Sequence, residues 1–203
     1  MSIVIVDSGG ANLTSIKNAF EKISSQAVVS IDENIICNAD YVILPGVGSA
    51  QMVMQSLISN NLVNVIKSLT QPVLGICVGM QILFNSSEEQ NCKCLGLIND
   101  DIKKFNLPKD KAVPHMGWNK VIFESEQLLS NYYYFANSYY APITKDTTGI
   151  CEYGIEFSAT VQKDNFFGCQ FHPEKSSNSG IKFIQNFLLS LIHISEPTRL
   201  HVI

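Results

Sequence analysis

The first half of the chain alternates between short apolar runs and longer stretches in which apolar residues recur at helical spacing. Ile3–Val6 is entirely apolar, which is typical of a strand buried on both faces of a parallel sheet. Asn12 or Thr14 is the expected cap of the first helix. Strands that alternate with helices predict a doubly wound α/β fold with a mostly parallel sheet. The predicted strands are 3–6, 28–29, 41–44 and 72–76, and the predicted helices are 16–23, 57–69 and 79–84.

The second half has a different pattern. Residues 95–171 contain shorter, more aromatic strands separated by Pro and Gly turns, which favours antiparallel additions to the sheet. Residues 181–191 return to a helical period and predict a closing helix. The chain contains no internal repeat and no low-complexity linker. We therefore expect one domain over residues 1–191, with helices flanking the sheet.

The composition indicates a folded domain and argues against a nucleic-acid partner. Of the 203 residues, 46% are hydrophobic and 16% are charged, which argues against disorder. The net charge of -4 gives no broad electrostatic footprint for nucleic acid, so we expect no nucleic-acid partner.

The cysteine pattern and the N-terminal residues indicate the cellular compartment. The six cysteines are scattered, unlike a secreted disulfide framework. Cys92-Lys93-Cys94 lacks a second pair at zinc-site spacing, so we expect no metal and no cofactor. The chain runs directly into a strand without a basic region or cleavage site, and no apolar run approaches the ~20 residues of a membrane span. These features predict a cytoplasmic protein with reduced thiols and no membrane association.

Residues 74–79, Leu-Gly-Ile-Cys-Val-Gly, have the form of a nucleophile elbow between a strand and a helix. The turn is strained, so small residues must flank the nucleophile. A thiol at Cys77 would lie at a helix N-terminus, whose dipole favours the reactive thiolate. The backbone N–H of Val78 would point toward a developing oxyanion. Alternatively, Cys77 is a small buried residue in a tight turn, and the elbow alone does not decide between the two.

His172 and Glu174 supply the second candidate element. They lie two residues apart, so in an extended segment their side chains leave the same face. Glu174 can then fix the tautomer of His172, whose other ring nitrogen takes the proton of Cys77. A lone His-Pro-Glu is more often a surface turn. The upstream thiol elbow strengthens the catalytic interpretation.

A third motif, Pro-Gly-Val-Gly at residues 45–48, follows directly after a predicted strand. Glycines at the carboxyl end of a strand let backbone N–H groups approach a ligand closely. Taken alone, the motif is better interpreted as an ordinary strand-to-helix turn.

Together the three motifs resemble the class I, triad-type glutamine amidotransferases. The matching segments are residues 44–48, 75–81 and 171–174. Two further segments, residues 5–13 and the Pro-His-Met-Gly-Trp-Asn of residues 114–119, resemble one branch of that family. This branch comprises the glutaminase subunits of imidazole glycerol phosphate synthase, from histidine biosynthesis. The resemblance covers residues 3–190 in order.

The resemblance implies a role for each motif. Cys77 would attack the side-chain amide of glutamine, His172 would act as base and then as acid, and Glu174 would orient His172. The other implied residues are Gly46, Val47, Gly48 and Val78 for the oxyanion hole, and Gln81, Asn137, Ser138 and Tyr139 for substrate binding.

The resemblance also implies a partner. In this branch the glutaminase forms a heterodimer with a (β/α)8-barrel cyclase, which uses the ammonia to make imidazole glycerol phosphate and AICAR. The ammonia passes through the barrel without meeting bulk water. The residues expected at the docking face are Lys175, Pro114, His115, Met116, Gly117, Trp118 and Asn119.

Two features depart from the family. Asn137 stands where the family usually has His, and we expect altered glutamine affinity rather than lost activity. Residues 192–203 match nothing in the family. We favour a non-native sequence artefact over a native extension for this tail, because termini tolerate additions freely.

Two alternative functions stay open. The first is the glutaminase subunit of another synthase, for sugar amidination, anthranilate or pyridoxal phosphate. The second is a catalytically inactive regulatory module of the same fold. The presence of all three triad residues argues against the second alternative.

Overall fold

A nine-stranded mixed sheet forms the centre of the computed structural model, which describes residues 1–9, 12–23, 26–109, 111–123 and 130–189. Its first four strands are parallel and lie in the order β2-β1-β3-β4. They are β1 Ile3–Val6, β2 Ala27–Ser30, β3 Tyr41–Gly46 and β4 Val73–Cys77. All residues of β1, β3 and β4 are buried, as expected for parallel strands covered on both faces. The predicted doubly wound α/β fold is confirmed.

The helices of the described part of the chain connect these strands or close the domain. Helix α1 shows the amphipathic pattern that the sequence predicts, with Ile16 and Phe20 buried one turn apart. The helices are α1 Leu13–Glu21, α2 Glu33–Cys37, α3 Ala50–Ser59, α4 Leu62–Ser68, α5 Val78–Gln81 and α6 Ser177–Leu189.

The single helix predicted at residues 57–69 is wrong. The helical path breaks at Asn61, whose φ of +58° is left-handed, and α3 and α4 replace the one helix. Asparagine adopts this conformation more readily than most residues, and apolar periodicity does not record it. Helix α3 also begins earlier than predicted, because the hydroxyl of Ser49 caps it by accepting the N–H of Met52 at 3.3 Å.

The helix predicted at residues 79–84 is wrong beyond its first turn. Helix α5 ends at Gln81. The backbone N–H groups of Leu95 and Gly96 donate to the carbonyls of Ile82 and Phe84, at 2.9 and 2.8 Å. Phe84 therefore begins a strand, β5 Phe84–Ser87, because tertiary pairing overrides the local helical pattern.

The second half completes the main sheet and adds a smaller one. The further strands are β6 Cys92–Lys93, β7 Ile98–Lys104, β8 His115–Phe123, β9 Asn131–Asn137, β10 Tyr139–Tyr140, β11 Thr147–Glu152, β12 Glu156–Lys163 and β13 Phe166–Cys169. The main sheet continues beyond β4 as β13-β12-β11-β8-β9, and the smaller sheet has the order β10-β7-β5-β6. The added strands of the main sheet pair antiparallel with one another, as predicted, whereas β13 runs parallel to β4.

Strand β8 has one face in the core and one in solvent, because side chains alternate along a strand. His115 is on the inner face and only 3% exposed, whereas Trp118 is on the outer face. The His115 ring stacks between Phe135 and Tyr153, with ring centroids 4.9 and 3.9 Å away. Burial, and then the nearby charge of Lys111, lowers the pKa of His115 to about 4. The ring is therefore neutral at physiological pH.

Helix α6 closes the domain and is described as far as Leu189, with Phe183 and Ile184 in the core. The tail predicted at residues 192–203 lies outside the described residues, as do residues 10–11 of the family-like segment 5–13. None of the helices described here is long and apolar enough to cross a membrane.

The buried, neutral His115 should make the stability depend on pH. Its pKa is lower in the folded state than in the unfolded state, so the stability it contributes is lost as the pH falls from the unfolded pKa towards about 4. Between about pH 7 and about pH 5 this loss amounts to roughly 2 kcal/mol, because only the unfolded ring binds a proton.

In His115→Phe, which preserves an aromatic ring in the stack, we expect this part of the acid destabilisation to disappear. Urea unfolding of both proteins at the two pH values measures the difference. Equal losses of unfolding free energy in the two proteins would contradict the assignment.

Candidate active site

Three neighbouring parallel strands bring the predicted motifs together. Gly46 at the end of β3 pairs with Cys77 at the end of β4, and Cys169 at the end of β13 pairs with Ile76. The glycine segment, the thiol and His172, which follows β13, therefore meet at the carboxyl ends of these three strands. Crevices at the carboxyl ends of neighbouring parallel strands are common ligand sites in α/β proteins.

Cys77 lies at the turn from β4 into α5 and has a left-handed backbone with φ +56° and ψ −112°. This conformation is strained for a residue with a side chain. The flanking glycines allow the turn to pack. A Cβ on Gly75 would come within 2.5 Å of the carbonyl oxygen of Gly79, and a Cβ on Gly79 would collide with the carbonyl oxygen of Leu44. The local geometry is that of a nucleophile elbow.

Helix α5 is shorter than expected, since it contains only four residues. It offers Cys77 the free N–H groups of one turn rather than the dipole of a long helix. The thiolate therefore depends more on side-chain partners. One of them, Gln170, was not indicated by the motifs; its Nε2 lies 3.7 Å from the sulfur of Cys77.

His172 and Glu174 form a hydrogen-bonded pair beside Cys77. Nδ1 of His172 lies 2.9 Å from Oε1 of Glu174, and the His172 side chain interacts electrostatically with Cys77. Because Nδ1 is occupied, Nε2 is the nitrogen left for the sulfur. The extended segment expected here ends at His172. Glu174 lies in a 3-10 turn, Pro173–Lys175, which brings its carboxylate back to the ring.

The carboxylate of Glu174 has a second partner that sequence reasoning missed. Nδ2 of Asn12 donates a hydrogen bond to Oε1 of Glu174 at 2.7 Å. Asn12 precedes α1 as expected, but its side chain makes no capping hydrogen bond. The contact joins residues 162 positions apart, and no local pattern marks such a pair. Asn12 thus helps to hold a carboxylate whose side chain is only 1% exposed.

The electrostatics of the site favour a protonated His172. Burial alone would lower the pKa of His172, but interactions with Cys77 and Glu174 raise it well above its ordinary value. The ring therefore holds a proton beside the sulfur at neutral pH. By contrast, burial raises the pKa of the Cys94 and Cys151 thiols to about 12, so those thiols are inert.

The glycine segment expected in the oxyanion hole packs directly on the elbow. A Cβ on Gly46 would collide with the backbone nitrogen of Gly79 and would come within 2.5 Å of Val78. Gly48 has a φ of +90° and is exposed, and Val47 between them is partly buried. Substitution of Gly46 would therefore disrupt packing.

The segment after Gly48 is fixed by a carboxylate. Oε2 of Glu89 accepts the N–H of Ala50, the first residue of α3, at 2.8 Å. This contact ties the end of the glycine segment to the turn that follows β5. Glu89 was not among the residues indicated by the sequence, again because the contact is not local.

Asn137 and Tyr139 lie next to Gln81. Nε2 of Gln81 and Nδ2 of Asn137 both donate to the carbonyl oxygen of Tyr139, at 3.1 and 2.9 Å. The carbonyl of Ser138 accepts the N–H of Phe105 at 3.0 Å. Gln81 and Asn137 are buried, so they fix the backbone of this segment. Among the described residues, Oδ1 of Asn137 has no hydrogen-bond partner.

Part of the expected docking face forms one exposed surface. Met116 and Trp118 are 63% and 52% exposed, and Trp118 packs edge-on against Tyr134 of β9, with ring centroids 6.3 Å apart. Nζ of Lys175 lies 5.9 Å from the centre of the same tyrosine ring. We call these four residues, Met116, Trp118, Tyr134 and Lys175, the aromatic face.

His115 does not belong to the aromatic face. Its side chain is buried on the opposite side of β8, so its expected place at the docking face is wrong. Asn119 points to that same side and donates to the carbonyl oxygen of Glu152 at 2.8 Å. Pro114 is exposed at the start of the strand, and Gly117 is partly exposed.

Comparison with known proteins gives consistent relatives. The model of the family "Glutamine amidotransferase class-I" matches residues 4–191. The chain is 46% identical over 197 residues to the imidazole glycerol phosphate synthase subunit HisH of Shewanella sediminis, with 92% of this chain and 90% of that protein covered. It is 45% identical over 198 residues to the subunit HisH of Escherichia coli K12, with 93% and 99% covered.

Solved structures agree in fold. A crystal structure of a glutamine amidotransferase superposes with a TM-score of 0.74 at 14% identity and covers 94% of this chain and 98% of its own. The PurLQS structure from Thermotoga maritima superposes with a TM-score of 0.67 at 17% identity, again over 94% and 98%. At these identities the likeness concerns the fold alone.

The geometry predicts how the reactivity of Cys77 depends on its partners. In a Cys37→Ser background, which removes the exposed thiol, iodoacetamide should alkylate Cys77. His172→Ala should slow this alkylation about 100-fold at about pH 6.5, where an unpaired thiol is roughly 1% ionised. Glu174→Gln should slow it about tenfold, because it preserves the ring and removes only the carboxylate charge.

Mass spectrometry of the alkylated peptides measures both rates and the site of labelling. Undiminished alkylation of Cys77 in His172→Ala, or labelling at Cys94 in place of Cys77, would show that the pair does not act as described.

Proposed function

We propose that the three converging motifs hydrolyse glutamine, because the chain belongs to the class I glutamine amidotransferase family. The similarity to HisH subunits supports a more specific role, the glutaminase subunit of imidazole glycerol phosphate synthase in histidine biosynthesis. The observation that carries the proposal is the convergence of Cys77, His172 and Glu174 at the carboxyl ends of neighbouring strands, where His172 is hydrogen-bonded to Glu174 and interacts electrostatically with Cys77.

The first half of the reaction transfers the glutamyl group to the enzyme. The thiolate of Cys77 attacks the side-chain amide carbon of glutamine and forms a carbon–sulfur bond. His172 then gives its proton to the amide nitrogen as the carbon–nitrogen bond breaks, so that ammonia leaves and a γ-glutamyl thioester remains. Glu174 and Asn12 keep Nδ1 occupied, so that Nε2 faces the reacting atoms.

The second half releases glutamate. His172, now neutral, takes a proton from a water molecule that attacks the thioester carbon. The carbon–sulfur bond breaks, the sulfur leaves as a thiolate, and the resting thiolate–imidazolium pair returns. In both halves negative charge develops on the former amide oxygen. The backbone N–H of Val78 and those of the segment Gly46, Val47 and Gly48 are the candidate donors to it.

Substrate binding falls to the segment beside the elbow. Gln81 and Asn137 both donate to the Tyr139 carbonyl, and Gln81 is connected to Cys77 through Gln170. Ser138 lies in the same segment. We infer that the backbone of this segment contacts the amino-acid part of glutamine. Asn137 acts through its hold on Tyr139, which fits altered affinity better than lost activity.

The name of the HisH relatives as a subunit supports a partner subunit for this chain. We infer that the partner is a (β/α)8-barrel cyclase, that it docks on the aromatic face, and that it converts the ammonia into imidazole glycerol phosphate and AICAR. Exposed Met and aromatic side chains are enriched in protein interfaces, and Trp is a frequent anchor there. The cytoplasmic location expected from the sequence belongs with this biosynthetic role.

A glutaminase of another synthase is the second candidate, because the triad motifs are shared across the family. The docking partner distinguishes the two. Glutamine-dependent synthesis restored by a sugar-modifying, anthranilate or pyridoxal phosphate partner, and not by the cyclase, would favour the second candidate.

Cys77→Ala should abolish glutamine-dependent synthesis by the complex and leave synthesis from added ammonium salt intact. The thiol makes the ammonia and the partner consumes it, so only the first step is lost, by about 10⁴-fold or more. The measurement is product formation by the complex with each nitrogen source. Equal loss with both sources would show that Cys77 is structural.

Trp118→Ala should weaken the binding of the cyclase by about 2 kcal/mol or more and leave the melting temperature of the isolated chain nearly unchanged. Val28→Ala is the matched control, since Val28 is 51% exposed on β2, at the opposite edge of the sheet. Titration calorimetry with the cyclase measures both variants. Equal affinities for Trp118→Ala and the control would remove the aromatic face from the interface.

A further inference from the structure

Gln170 lies beside the nucleophile and is completely buried. It follows β13 directly, between Cys169 and Phe171, and its backbone N–H donates to the carbonyl of Ala159 at 2.8 Å. Its side-chain Nε2 is 3.7 Å from the sulfur of Cys77, and its Oε1 is 2.9 Å from Nε2 of Gln81. The reaction described above does not use this side chain.

The orientation of the Gln170 amide follows from a fixed acceptor. The backbone carbonyl of Tyr139 can only accept hydrogen bonds, so the atom of Gln81 that faces it must be the NH₂ nitrogen. The same nitrogen faces the Gln170 side chain, so the Gln170 atom that meets it must be the oxygen. The remaining end of the Gln170 amide, its NH₂ group, therefore points at the sulfur of Cys77.

We propose that Gln170 is a positioning residue whose side-chain N–H donates a hydrogen bond to the sulfur of Cys77 and holds it as a thiolate. The proposal rests on the proposed function and deepens it. A hydrogen-bond donor stabilises a charged sulfur more than a neutral one. Gln170 therefore favours the resting thiolate and, after the thioester has formed, favours its departure when water attacks. No proton is transferred to or from the amide.

The other groups around Cys77 do not replace this donor. The titratable groups that interact with the sulfur or its partner, in the described part of the chain, are His172, Glu174 and Cys169. Cys169 is fully buried, and burial, followed by the charges of Glu174 and Cys77, raises the pKa of its thiol well above the usual value, so it stays neutral. His172 has to give up its proton during the reaction. Among the side chains described around Cys77, Gln170 is the donor that keeps its hydrogen throughout.

The same amide chain connects the substrate segment to the nucleophile. The Tyr139 carbonyl accepts a hydrogen bond from Gln81, and Gln81 also donates to Gln170. The Gln170 amide in turn donates to the sulfur of Cys77. A buried amide with both ends paired has little freedom to rotate. The position of the Tyr139 carbonyl therefore determines which atom of Gln170 meets the sulfur.

The test is the pH profile of Cys77 alkylation by iodoacetamide in the Cys37→Ser background. Gln170→Met is close in volume and removes the donor. We expect the midpoint of its profile to lie about one pH unit higher than in the parent, with alkylation about tenfold slower at pH values below the parent's midpoint and nearly equal on the alkaline plateau. Gln162→Met is the matched control, since Gln162 is exposed, and its profile should match the parent.

Gln170→Glu gives a second, nearly isosteric variant in case the methionine variant does not fold. It retains an oxygen for Gln81 and turns an ionisable oxygen towards the sulfur, so its midpoint should rise at least as far as that of Gln170→Met. A merely structural role would lower the melting temperature without moving the midpoint. Midpoints within about 0.2 pH unit of the parent in the folded variants would overturn the proposal, given the shift expected for a lost donor.

Failure of the proposed function gives a different result. If glutamine turnover by the parent complex is absent but the midpoint still moves in the Gln170 variants, Gln170 positions the thiolate of an enzyme with another substrate. If turnover is present and the midpoint does not move, the function stands and the role of Gln170 is wrong.

Discussion

The close approach of three backbone segments, with no side chains between them, is the constraint on which this site depends. At Gly46, Gly75 and Gly79 an added Cβ would meet backbone atoms of a neighbouring segment, so β3, β4 and the start of α5 pack main chain to main chain. This packing holds Cys77 in a left-handed conformation that the residue would not adopt by itself. The strained turn then projects the sulfur between the glycine segment on one side and β13 on the other.

Burial at this edge of the sheet makes pairing obligatory. A buried carboxylate or thiolate without partners would take up a proton instead of staying charged. Glu174 meets both Asn12 and His172, and Cys77 meets both His172 and Gln170. Both partners of Cys77 and one partner of Glu174, Asn12, come from distant parts of the chain, whereas His172 is only two residues from Glu174. The same pairing that allows these charges to be buried also sets the tautomer and the protonation state that the reaction needs.

The sequence predicts the fold class and the three motifs well, because both depend on residues that are close together in the chain. Apolar runs mark the parallel strands, and glycines beside Cys77 mark the elbow. What local patterns do not contain is the identity of distant partners. Asn12 resembles a helix cap in sequence but holds Glu174 instead, and Gln170 resembles an ordinary strand end. The break at Asn61 was missed for a related reason, since a single left-handed residue leaves the apolar period intact.

Strand β8 shows why a motif can be assigned to the wrong surface. The segment 114–119 reads as one unit, yet alternate side chains of a strand face opposite ways, so Trp118 lies on the aromatic face while His115 stacks in the core. Treating every residue of a motif as part of one function ignores this alternation. The inner residues of β8 fix the position of the strand, and the outer ones are free to meet a partner.

Strand β9 joins the aromatic face to His172 through the backbone. The carbonyl of Tyr134 accepts the N–H of His172 at 2.8 Å, and its N–H donates to the hydroxyl of Ser176 at 2.9 Å. That hydroxyl in turn donates to the carbonyl of His172. The backbone N–H of His172 is thus bound to Tyr134, and its carbonyl is bound to Ser176, which also binds Tyr134. The ring of Tyr134 lies against Trp118 and Lys175 on the outside. A partner that shifts Tyr134 must therefore shift His172 as well, or break hydrogen bonds that are largely buried. In the proposed docking mode, this backbone route would connect the aromatic face to His172 without a rearrangement of the core.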